Sequence, residues 1–361
     1  MNYKLIISVN ILFLLFSSLF AQKETETRNF IKTVPVSEET SLEISNKYGT
    51  VQVTPWDKDS VLIRAEVKAY APNHSRLDKM FDGVNININD SKYLVKAETD
   101  FTQSISMLFE SFKGMTSKLI SYDSRVEINY YVKAPEYITL GIDNKYGDVY
   151  MEKTTGKCSV SVSNGSFKAN SLGSGTSLTF TFCNATINSV QSGKINANFS
   201  DITIGETGDI FINSISSRFD IKNAGSVKVD SRKDKLYLGK TDKLTGTSYF
   251  TDYNVQSLSG AIDLSTKYGS INTDLVEKNF ESVDITSNYT DVNLAFDKVS
   301  SYSLEIRQTN SFVVLPDKIA KTEKKSLNDD RKEYIIYGTV GSNPGNRKVR
   351  IDATRGNIYL K

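Results

Sequence analysis

The sequence predicts an all-β fold in which the chain winds as a parallel solenoid, and three features point there. Pairs of apolar residues, two positions apart, recur along most of the chain. All six prolines lie outside residues 136–315. The bends between paired residues share one chemistry, Asn or Thr followed by Lys-Tyr-Gly.

The first residues read as an export signal. Lys4 is the only charge ahead of an apolar stretch at 5–15, and Ser17, Ser18 and Phe20-Ala21-Gln22 follow it. A charged start, a short greasy middle and a small residue at the cut form a secretory signal peptide. The apolar core is shorter than the roughly 20 residues a membrane helix needs. Residues 1–21 are therefore expected to be removed after Ala21, leaving no transmembrane segment. No Cys stands at the cut, so a lipid anchor is not expected there.

The repeat begins with Leu42/Ile44 and Val51/Val53, and Leu140/Ile142 with Val149/Met151 has the same spacing. So do Ile210/Ile212 with Phe219/Ile221, Val227/Val229 with Leu236/Leu238, and Val283/Ile285 with Val292/Leu294. Ile262/Leu264, Leu304/Ile306 and Val349/Ile351 open further copies, and Leu244 with Tyr253/Val255 is a degenerate one. A form with a shorter gap comprises Val160/Val162 with Phe167/Ala169, Leu178/Phe180 with Ala185/Ile187, and Ile195/Ala197 with Ile202/Ile204. Residues two apart share one face of a strand. Each copy thus supplies two short strands that cannot bury their apolar side alone, so copies must stack. The unit is too short for a helical crossover. At about 4.8 Å per rung, the copies across 136–315 would form a rod of roughly 45–50 Å.

Proline and the bends agree with a stack. A rung donates backbone N–H groups to its neighbour, and proline has none to give. Asn46-Lys47-Tyr48-Gly49, Asn144-Lys145-Tyr146-Gly147 and Thr266-Lys267-Tyr268-Gly269 occupy one place in three copies. The aromatic position reads Tyr48, Tyr146, Phe250, Tyr268 and Tyr289, and in a parallel stack these rings would lie one above another. They are the candidate surface-binding residues; a purely structural stack that steadies the bend is the alternative.

Two excursions interrupt the coil. In the N-terminal part, 22–135, Val61, Ile63, Ala65, Val67 and Ala69 alternate strictly, as do Val84/Ile86/Ile88, Tyr93/Val95/Ala97 and Val126/Ile128/Tyr130/Val132. These predict longer antiparallel strands with one wet face, and Asn89-Asp90-Ser91 reads as a hairpin turn. Ile105, Leu108, Phe109, Phe112, Met115 and Leu119 follow helical spacing, which predicts a short amphipathic helix over about 104–121 that caps the coil. The C-terminal part, 316–361, carries a charged run, a strand at 334–340, a turn at 341–345 and the last rung.

At this point the residues resemble the exported bacterial β-solenoid proteins of the putative-adhesin family. The likeness rests on Val126-Glu127-Ile128-Asn129-Tyr130-Tyr131-Val132-Lys133-Ala134-Pro135 leading into Leu140-Gly141-Ile142-Asp143-Asn144-Lys145-Tyr146-Gly147-Asp148-Val149. The Ser/Asn/Gly-rich stack that follows and the closing Arg355-Gly356-Asn357-Ile358-Tyr359 add to it. What the resemblance implies is a right-handed parallel β-helix in the cell envelope of a bacterium, periplasmic or at the cell surface. It carries no catalytic motif.

Composition removes several other functions. The balance of 44 Lys+Arg against 42 Asp+Glu gives +2, no electrostatic footprint for nucleic acid. A single His74 and two cysteines supply neither a His-based zinc site nor a disulfide framework. Cys158 and Cys183 fall at different places in their copies, so two free thiols are expected. The rival reading is a polysaccharide lyase or hydrolase on a parallel β-helix, with carboxylates drawn from Asp148, Asp201, Asp263, Asp284 and Asp291. These acids are scattered and read more simply as solvated side chains. The expectation is a non-enzymatic, exported, adhesin-like protein without catalytic residues, metal or cofactor, whose partner is a glycan or an envelope protein.

Overall fold

The computed structural model describes residues 24–103, 124–316 and 320–361. The expected signal peptide at 1–21 and the helix expected at 104–121 lie outside the described residues. Strand dominates the rest, in one long and mostly parallel sheet.

The apolar pairs do stack. Leu42 lies opposite Leu140, Ile44 opposite Ile142 and Val51 opposite Val149, all in parallel register. Phe167 then faces Ala185, Ala185 faces Ile202, Ile202 faces Phe219 and Phe219 faces Leu236. Contacts between adjacent rungs span 17 or 18 residues from Asp148 to Ser270, and 21 between Asn272 and Asn293. Along Ser41–Lys47 burial alternates, with Leu42, Ile44 and Asn46 inside. Each fully buried Val, Leu or Ile is worth about 1.5–3 kcal/mol, but only when a neighbouring rung supplies the other wall. Outside, Asn170 accepts from Asn188 at 2.8 Å and Asn272 from Asn293 at 2.9 Å, so amides bridge rungs as well.

The shorter spacing proves to be a shifted first pair and not a shorter rung. Val160 lies opposite Ile142, and Val162 opposite Asn144. The strand before the bend has three inward positions: Leu140, Ile142 and Asn144 in one rung, and Cys158, Val160 and Val162 in the next. An apolar pair can occupy either two of them.

Both ends are closed by out-of-sequence strands. At the N-terminal end Leu94–Phe101 pairs in parallel with Ser41–Lys47, and Arg125–Ala134 with Val51–Pro55. A rung from later in the chain therefore covers the first copy. Ser60–Ala71 runs antiparallel to Arg125–Ala134, and Glu24–Pro35 antiparallel to Ser60–Ala71. Val84–Asp90 and Leu94–Phe101 form the expected hairpin. Pro72-Asn73-His74-Ser75 reads in the sequence as a loop with His74 an exposed turn residue, but the stretch opens a helix instead, His74–Asp82. The Asn73 side chain caps it by accepting from the Arg76 N–H at 3.0 Å, and it buries Leu77, Met80 and Phe81.

At the other end the chain doubles back. Lys348–Thr354 inserts between Ser282–Phe296 and Tyr302–Thr309, parallel to both. Glu333–Val340 then runs antiparallel along Tyr302–Thr309 and is itself paired with Ala320–Asn328. That outermost strand is rich in lysine and mostly exposed, which discourages edge-to-edge pairing with another chain.

Candidate functional site: an outer corner of stacked rings

The bend after the third inward position has one conformation throughout. Tyr48, Tyr146, Asn164, Phe182, Phe199, Ser216, Lys233, Phe250, Tyr268, Tyr289, Asn310 and Arg355 all adopt positive φ, between 50° and 62°. For a residue with a Cβ this left-handed region costs about 1–2 kcal/mol. Two kinds of contact offset it. The N–H of Tyr48 bonds the Lys145 carbonyl at 2.9 Å, that of Tyr146 the Ser163 carbonyl at 2.9 Å, and that of Lys233 the Tyr249 carbonyl at 2.8 Å. The rings also stack on one another.

Tyr48 and Tyr146 stack at 5.4 Å between centroids with 12° between planes, Phe182 and Phe199 at 5.1 Å and 9°. Phe250 and Tyr268 stack at 4.7 Å and 12°, Tyr268 and Tyr289 at 5.1 Å and 27°. Arg355 closes that last run, with its guanidinium 5.2 Å from the Tyr289 ring and a bond donated to the Tyr289 hydroxyl. All five predicted aromatics thus share one outer corner. Phe182 and Phe199 belong to it too, unread in the sequence. Their 57% and 55% exposure is the highest in the column.

The residue after the bend position lies where the neighbouring rung comes close. Gly147 is required because a Cβ there would sit 1.9 Å from the Gly49 carbonyl oxygen. Where the glycine is missing, a polar side chain serves the same backbone. Cys183 N–H donates to Ser200 Oγ at 3.1 Å, Ser200 N–H to Ser217 Oγ at 3.2 Å, and Ser217 N–H to Asp234 Oδ1 at 2.6 Å. Asp234 is buried and also accepts from the Ser214 hydroxyl at 2.6 Å.

The candidate carboxylates do not converge. Asp148 Oδ1 accepts from the Ser166 N–H at 2.9 Å and its Oδ2 from the Tyr150 hydroxyl at 3.1 Å. Asp291 Oδ1 accepts from the Asn357 N–H at 2.8 Å. Asp263 and Asp284 are neighbours in register, and Asp284 lies 4.0 Å from an Arg350 guanidinium nitrogen. Asp201 sits opposite Arg218. Among the described residues no three His, Cys, Asp or Glu side chains gather as a metal site. Cys158 and Cys183 are unpaired and buried; Cys183 lies opposite Gly165, well along the rung from Cys158. No helix among the described residues is long and apolar enough to cross a membrane.

Comparison with known proteins adds little. No family model matches the chain, and no curated protein matches it. A solved structure described as a putative cell adhesion protein from Clostridium sporogenes is similar at 10% identity, covering 93% of this chain and 99% of its own. Its TM-score is 0.18, and at that value the likeness bears on neither fold nor role.

Proposed function

We propose that the chain is an exported, right-handed β-solenoid of adhesin-like, non-enzymatic character, which contacts a glycan or envelope component through its outer corner. The observation that carries the reading is the ring column itself. Seven aromatic side chains stand at this corner on left-handed backbones, five of them exposed, where a smaller residue would serve the bend at less cost. Aromatic faces and edges offer apolar surface to the C–H faces of sugars. The commitment of Asp148 and Asp291 to backbone N–H groups supports a scaffold over a catalyst. Residues 1–21, read as a signal, support export to the periplasm or the cell surface.

Binding of purified 22–361 to arrays of glycans and envelope components tests this. Binding is expected, and it should weaken in Phe250→Ala and Tyr289→Ala. Absence of binding to every component would overturn it. One observation favours the polysaccharide-cleaving alternative: an open groove of about 320 Å³ holds Asp220 and Asp274 beside Tyr237, Asn254 and Asn272. Release of sugar ends that stops in Asp220→Asn would establish that alternative.

A further inference from the structure

The ring column is broken by Asn164 between Tyr146 and Phe182, and over two rungs between Phe199 and Phe250. Ser216 and Lys233 hold the same left-handed place in the two intervening rungs. Backbone bonds from Phe199 N–H to the Ile215 carbonyl, Ser216 N–H to the Arg232 carbonyl and Lys233 N–H to the Tyr249 carbonyl fix that order. Phe199 spends one face on Phe182 and Phe250 one on Tyr268, and the Tyr249 ring meets Phe250 in a T-shaped contact at 5.2 Å. Their other faces look toward each other across three rung spacings, roughly 14 Å at about 4.8 Å each.

The floor and sides of this gap are cationic. Arg232, Lys233 and Lys235 follow one another around the bend as exposed residues, and Arg218 lies opposite Lys235 on the adjoining rung. None of the four is in an ion pair with a described residue within 4.0 Å; Arg218 lies over the Tyr237 ring, its guanidinium carbon 4.1 Å from the centroid. Asp234, between Lys233 and Lys235, is turned into the core. Asp201 and Asp252 flank the basic pair in the rungs on either side, and Asp252 accepts from the Ser270 hydroxyl at 2.9 Å. Lys47, Lys145 and Lys267 stand singly beside rings at other bends, whereas the two ringless rungs bring four cations together, with Asp220 and Asp230 two residues away from Arg218 and Arg232.

From this we infer that the gap is the binding subsite for an acidic polysaccharide. Sugar rings stack on the Phe199 and Phe250 faces, and carboxylates or sulfates meet Arg218, Arg232, Lys233 and Lys235. The inference rests on the proposed glycan-contacting corner and adds the ligand's charge and its place. Aromatic walls without cations would suit a neutral glycan, and cations without walls would suit any polyanion; the combination selects a chain that is both. A single-stranded nucleic acid shares that chemistry in part and is one outcome of the test.

The test measures binding of polygalacturonate fragments, a neutral dextran of equal length and an oligothymidylate to the mature chain and to Arg232→Gln/Lys233→Asn/Lys235→Gln. Asn is tolerated in the left-handed region, so the bend is preserved. The expected result is polygalacturonate binding that falls at least tenfold in the triple variant and in Phe199→Ala, with unchanged thermal unfolding. Polygalacturonate bound equally by wild type and triple variant overturns the subsite and leaves the glycan-binding corner standing. Tighter binding of the oligothymidylate overturns it in favour of nucleic acid. Failure of wild type to bind polygalacturonate while dextran binds overturns the acidic preference alone. Failure to bind any of the three, together with blank arrays, overturns both.

Discussion

Phe250 and Tyr268 stack with 4.7 Å between centroids and 12° between planes, although each holds a left-handed backbone, φ 56° and 58°. The stack and the strain oppose each other, and substitutions separate them. Tyr268→Ala removes three ring contacts, with Phe250, Tyr289 and Tyr249, and keeps the strain. It should destabilise by about 1.5–4.5 kcal/mol, given about 0.5–1.5 kcal/mol per aromatic pair. Tyr268→Gly loses the same contacts but relieves about 1 kcal/mol of left-handed cost. The glycine variant should therefore unfold at higher denaturant than the alanine variant. The opposite order would mean that the bend is not strained.

Close rung approach gives a second pair of substitutions. A Cβ at Gly147 meets the Gly49 carbonyl oxygen at 1.9 Å, and backbone cannot step aside as a side chain can. Gly147→Ala should cost about 1–3 kcal/mol or more. A Cβ at Gly141 meets Glu43 Cγ at 3.4 Å, the middle of a flexible side chain, and the Leu42 carbonyl oxygen at 3.8 Å, an ordinary contact. Gly141→Ala should stay within about 0.5 kcal/mol of wild type. Chemical denaturation of both variants checks the contrast.

These two glycines also show what the sequence could reveal. Lys-Tyr-Gly marks bends where the neighbouring rung on the N-terminal side crowds the backbone, so Tyr48, Tyr146 and Tyr268 were readable. Phe182 and Phe199 precede Cys183 and Ser200 and carry no such mark. Counting back from Phe250 in steps of 17 lands on Lys233, Ser216, Phe199 and Phe182, so the period holds the signal that the motif lacks. The first apolar pair misled for a related reason: three inward positions precede the bend, and Asn144 fills one that Val162 fills in the next rung. The closing of each end by later strands left no local trace, because pairing partners of Lys348–Thr354 are set by packing and not by spacing. The helix His74–Asp82 is marked by Asn73 at its cap and by Leu77, Met80 and Phe81 on one face. Pro72 and the short span made the same stretch resemble a turn.

The thiols report on opening of the stack. Burial pushes both Cys158 and Cys183 up to about 12. Against a reference of 9.0, that lowers the thiolate fraction near pH 8 on the order of a thousandfold. Native protein should react with a thiol reagent only as fast as the rungs separate, with both sites labelled rapidly in denaturant. Rapid labelling of the native chain would show that the rungs around Gly165 and Cys183 open readily.

Asp234 and Asp148 should respond to acid in opposite directions. Burial raises the Asp234 carboxyl, and the hydrogen bonds from Ser214, Ser217 and Arg232 only partly offset it; no cation lies within ion-pair distance among the described residues. A raised folded value means that the native state holds the proton more tightly. Protonation therefore stabilises, and the contribution is complete below the ordinary aspartate value and is lost as pH rises through the folded value. Burial also acts upward on Asp148, but the bonds from Ser166 and Tyr150 outweigh it and hold the carboxyl below its ordinary value. Its contribution is present above the ordinary value and is lost as pH falls through the lowered one. Stability of wild type minus Asp234→Asn should thus grow on acidification from neutral and level off below about pH 4, the unfolded aspartate value. Wild type minus Asp148→Asn should hold steady to that point and then shrink. Denaturant midpoints across an acid series for the three proteins measure both slopes, and a difference for Asp234→Asn that shrinks with acid would place a cation beside that buried carboxylate.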